Sequence, residues 1–173
     1  MIELNKKTQQ DFLNREWVQK LLDAGVDMSD AKYYILHTVE DEYDCGPDRD
    51  FIVYKEQVAL YESLNPVPTY STAELIYKLH EWIYPTIDGK EFSGPLVFLK
   101  DAPFYMFYYR LRTKDYDKNL PSEKQTDKWN ESFMGEFETP IESLASLLLQ
   151  CHTRDIGLKR KDTGDIRAKY ERY

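Results

Sequence analysis

Apolar residues recur along the chain either about every fourth position or at alternate positions, and the change of period divides it into helices and strands. Leu13, Trp17, Leu21 and Ala24 follow helical spacing and predict a first helix over Thr8–Ala24. Thr8 is its expected N-cap, Asp11 puts a carboxylate in the first turn, and Gly25 supplies the left-handed residue that ends a helix. Lys32–Val39 is rich in β-branched and aromatic residues and reads as a strand, and Phe51–Tyr54 begins a second. Lys55–Leu64 fits either an extension of that strand or a helical turn. The alternation of Val58 and Leu60 favours a strand to about Leu60. The two prolines of Asn65–Thr69 then mark a linker.

The second half carries stronger signals. Ser71 and Glu74 form a capping box, and Tyr70 and Leu75 stand where a hydrophobic staple requires them. The stripe Leu75, Ile76, Leu79, Trp82 and Ile83 extends this second helix to Pro85, which should close it. Asp88-Gly89 and Ser93-Gly94-Pro95 read as turns. Leu96–Leu99 and Phe104–Arg112 form a hairpin turning at Lys100–Pro103. A long polar loop, Lys114–Asn130, precedes a strand at Glu131–Glu138. Thr139, Pro140 and Glu142 give the last helix an N-cap, a proline at its first position and a capping glutamate. Ile141, Leu144, Ala145, Leu148 and Cys151 line its buried face, widened by Leu147 and Leu149. Hairpins rather than alternating strand–helix units predict an α+β fold, an antiparallel sheet of about five strands with helices packed mainly on one face. Residues 1–152 are expected to form this domain, and 153–173 a weakly ordered charged tail.

A chain of 173 residues with 42% hydrophobic and 31% charged residues can bury a core without disulfides or metals. Its two cysteines, Cys45 and Cys151, lie far apart, and the N-terminus lacks the apolar run of a secretion signal, which points to free thiols in the cytoplasm. No apolar run is long enough for a bilayer, so no membrane partner is expected. The net charge of −8 is uneven: seven basic and four acidic residues from Arg154 onward give +3 and leave −11 on the rest. An acidic body repels nucleic acid at long range.

Candidate chemistry is sparse. The segment Glu40–Asp50 carries six carboxylates, the hard oxygen ligands that would suit a metal-dependent hydrolase, but its spacing departs from the calcium-loop pattern. A solvated hairpin tip is the favoured reading, since charge clusters are normally exposed faces. His37, His80 and His152 are dispersed without ligand spacing, and Cys151 and His152, adjacent on a helix, point apart. Phosphate-binding glycine loops, nucleophile elbows and zinc-protease motifs do not occur. No catalytic residue, metal site or cofactor is therefore assigned.

The aromatic strand is what remains. Five of the six residues Phe104–Tyr109 are aromatic. Strand alternation places Tyr105, Phe107, Tyr109 and Leu111 on one face and Phe104, Met106, Tyr108, Arg110 and Arg112 on the other. The first set suits a core. The second mixes rings with arginines and, if helices cover one side only, faces solvent as an interaction surface for a second copy of the chain or a host protein. Stacking of a single-stranded nucleic acid on the rings, anchored by the basic tail, is the alternative, disfavoured by the acidic body.

The order of these motifs resembles a group of small uncharacterised proteins encoded by phages, prophages and gut bacteria. The resemblance rests on Leu21-Leu-Asp-Ala-Gly25 ending the first helix, the segment Pro68–Trp82, the aromatic hairpin, and Glu142-Ser-Leu-Ala-Ser-Leu-Leu148. The acidic segment, the Lys114–Asn130 insertion and the basic tail depart from the shorter members. What the resemblance implies is a small cytoplasmic α+β protein with no family catalytic residues to transfer. The function expected is that of a non-enzymatic accessory protein acting through protein–protein contacts.

Overall fold

The computed structural model describes residues 2–3, 10–38, 49–80, 82–87, 89–101, 103–113, 137–154 and 156. Strand β1 (Ile2–Glu3), helix α1 (Arg15–Asp23), strands β2 (Tyr33–Thr38) and β3 (Arg49–Tyr54), a 3₁₀ segment (Lys55–Leu64) and strand β4 (Val67–Thr69) form the first part. Helix α2 (Thr72–Leu79), strands β5 (Trp82–Ile83), β6 (Thr86–Ile87), β7 (Lys90–Asp101), β8 (Phe104–Tyr109) and β9 (Arg112–Thr113), and helix α3 (Pro140–Thr153) complete it.

The α+β class holds, but two antiparallel sheets replace the expected single one. The first has the order β1-β3-β2-β4. In the second, β7 is the centre and pairs with β5, β6, β8 and β9. Strands β5 and β6 keep one register against β7 (Trp82 opposite Pro95, Thr86 opposite Glu91). So do β8 and β9 (Leu96 opposite Tyr109, Ser93 opposite Arg112). The sheet is thus equivalent to three antiparallel passes, the outer two broken at Tyr84–Pro85 and Arg110–Leu111. One apolar core joins residues of both sheets, with Ile35 and Ile52 from the first, Ile83, Tyr109 and Leu111 from or beside the strands of the second, and the buried faces of the three helices.

Helix α1 starts later than its periodicity suggests. Asn14 is the N-cap, its side chain accepting the Trp17 N–H at 3.0 Å. Residues just before it pair with the chain entering α2: Leu13 N–H donates to Tyr70 O, and Thr72 N–H to Asp11 O. Their backbone groups are committed there and cannot join a helix. Thr8 lies outside the described residues. Gly25, at φ +83°, ends the helix as expected.

Lys55–Leu64 is 3₁₀ rather than strand, and it packs on β2 and β3. Those strands bury Leu36 and Val53 on the face away from the main core, and a strand continuing past Tyr54 would leave that face uncovered. Residues 67–69 are not a linker. They pair with β2 as an edge strand, where a proline can sit without removing a ladder donor.

The capping box and staple of α2 form as expected, with Tyr70 and Leu75 buried. The helix ends at Leu79, not at Pro85. His80 adopts φ +57°, and Trp82 and Ile83 turn into strand pairing. Ile83 is buried by sheet packing, so its four-residue spacing from Leu79 mimics a helical stripe that Ile76, 40% exposed, does not join. Ser93-Gly94-Pro95 is continuous strand, not a turn. A Cβ on Gly94 would lie 1.8 Å from the Arg110 carbonyl oxygen, so only glycine permits this crossing, and the Pro95 carbonyl accepts the Arg110 N–H at 3.0 Å. Gly89, at φ +73°, turns β6 into β7 as expected. Helix α3 begins at Thr139 with Pro140 and buries Ile141, Leu144, Ala145, Leu147, Leu148 and Cys151. Beyond it, Ile156 returns to the core and its N–H donates to Cys151 O. The expected loop at 114–130 and the tail beyond 156 lie outside the described residues, as does most of the strand expected at 131–138. Phe137 makes a bridge to Tyr105.

Candidate functional site at the end of the aromatic hairpin

The β7–β8 hairpin is positioned by α3. Phe107 N–H, on the outer edge of β8, donates to the buried Ser143 hydroxyl at 2.8 Å, and Tyr105 exchanges backbone bonds with Phe137. The helix thereby satisfies the strand edge that would otherwise stand open. Tyr109 is buried and its hydroxyl donates to His80 O at 3.0 Å. Burial holds that phenol well above its usual pKa, so it stays a neutral donor.

Strand alternation and the register fix the two faces. On the core-facing side, Tyr109 and Leu111 are buried and Phe107 is half-buried. Further along the same face Phe98 is 51% exposed and stacks on Phe107 at 4.7 Å and on Tyr105 at 6.3 Å. The Lys100 ammonium lies 5.3 Å from the Tyr105 ring. On the opposite face, Phe104 is 38% and Leu99 46% exposed. Val97, Met106, Tyr108 and Arg110 are half-buried. Arg112 pairs through its backbone with Ser93.

The face singled out in the sequence is therefore only partly open. Phe104 reaches solvent, whereas Met106 and Tyr108 do not stand free. The exposed apolar surface instead gathers at the turn end of the hairpin, where Phe98 and Leu99 of β7 join Phe104 of β8. Phe98 and Leu99 were missed because an apolar strand reads as core along its whole length. Their closeness to the turn was the available signal, since β7 and β8 close at the pair Asp101–Phe104.

The other candidates do not converge. His37 Nδ1 lies 2.9 Å from Asp50 Oδ1 across β2 and β3, with Arg15 of α1 3.9 Å from the same oxygen. His80 caps α2 and His152 ends α3 on an exposed turn. Among the described residues no group of three or more His, Cys, Asp or Glu could hold a metal ion. Asp50 belongs to β3, and the rest of the acidic segment, 40–48, lies outside the described residues. Burial pushes the Cys151 thiol up to about 12, which leaves it protonated and poorly nucleophilic. A cavity of about 40 Å³ lies between the starts of α1 and α3, against Phe12, Trp17, Ile141 and Glu142. That is room for a water molecule. No helix among the described residues is long and apolar enough to cross a membrane.

Comparison of the chain with protein-family models, with curated proteins and with solved structures found no match.

Proposed function

We propose that this chain is a non-enzymatic interaction protein that binds another protein chain, a second copy of itself or a host partner, through the end of the β7–β8 hairpin. The observation that carries this reading is the exposure of Phe98, Leu99 and Phe104 at the turn end of the hairpin, Leu99 and Phe104 on one face and Phe98 on the other, each more than a third exposed. Apolar side chains standing out on both faces of a hairpin end are a costly surface in water and a favourable one in a contact. Lys100, exposed beside the turn, supplies a polar edge to this surface. The remaining residues of the Phe104 face, Met106 opposite Leu99 and Tyr108 opposite Val97, are half-buried, and Arg112 lies in β9 opposite Ser93.

Protein contact is favoured over nucleic-acid stacking by the net charge of −8, which opposes a phosphate backbone. The resemblance to small uncharacterised α+β proteins encoded by phages, prophages and gut bacteria belongs to the same proposal, as does a cytoplasmic location. The test is a comparison of Leu99→Glu and Phe104→Glu with Leu60→Glu, a control at the most exposed large apolar residue of the 3₁₀ segment. Solution mass by light scattering and partner recovery by pulldown are read for each. The hairpin variants should lose the assembly while the control keeps it. Equal behaviour of all three variants would overturn the proposal.

A further inference from the structure

We draw no further inference here: the strongest candidate, the His37–Asp50–Arg15 side-chain cluster where β2 and β3 meet the start of α1, carries nothing, since its contacts are accounted for by tying that helix to the sheet and no second observation points to a ligand.

Discussion

Single residues hold this fold at points where no substitute fits. Gly94 is the sharpest case, because any β-carbon there meets the Arg110 backbone rather than a movable side chain. Gly94→Ala should cost about 3 kcal/mol, at the upper end of overpacking effects, read as a lower urea midpoint. An unchanged midpoint would mean that the strands do not cross so closely. Asp30 acts through charge instead. Its carboxylate accepts the Tyr70 hydroxyl at 2.7 Å and pairs with Lys78 at 2.7 Å, joining the loop after α1 to α2. Partial burial works against the charged form, but the bonds from Lys78 and Tyr70 outweigh it and hold the pKa below the usual 3.8. A folded-state pKa below the unfolded one stabilises the protein above the ordinary carboxylate range, and the gain is lost as pH falls through the depressed value. Asp30→Asn should therefore be less stable than the parent at neutral pH, and the difference should shrink below about pH 4. A gap that stays constant into acid would contradict this ion pair. Cys151 gives a third check: in a Cys45→Ser background its thiol should resist modification until the protein unfolds, and rapid labelling of the native state would show that it is not buried.

At the scale of elements, the capping chemistry was the most legible part of the sequence. The starts of α2 and α3 could be placed from Ser71, Glu74, Thr139, Pro140 and Glu142, since a cap is a local bond between near neighbours. What could not be read was the outcome of competition with distant partners. Residues 11–13 have helical periodicity but bond to the entry of α2. Ile83 sits at helical spacing yet is buried by a sheet, and Pro68 looks like a breaker yet occupies a sheet edge. The same limit applies to the site: alternation gave the two faces of β8, but how far each ring stands out depends on where α3 ends its cover. Ser143 is the residue through which the helix fixes that boundary. Ser143→Ala would leave the Phe107 N–H without its acceptor and should cost about 1–2 kcal/mol. Stability equal to the parent would mean that water replaces the hydroxyl without penalty.

The whole molecule combines one continuous core with a hairpin whose far end carries apolar side chains on both faces. Tyr109 and Leu111 anchor the other end of β8 in the core, while the turn end stands exposed. A partly apolar projection on an acidic chain suits recognition of another protein surface. The most direct measurement is site-specific photo-cross-linking in intact cells, with a photoreactive phenylalanine derivative at position 98 and, in a parallel variant, at position 60. A discrete protein adduct is expected from position 98, at twice the chain mass for a second copy or at the sum with a host partner, and none from position 60. Leu99→Glu should abolish that adduct. No discrete adduct from position 98, or the same pattern from both positions, would contradict the hairpin end as the contact surface.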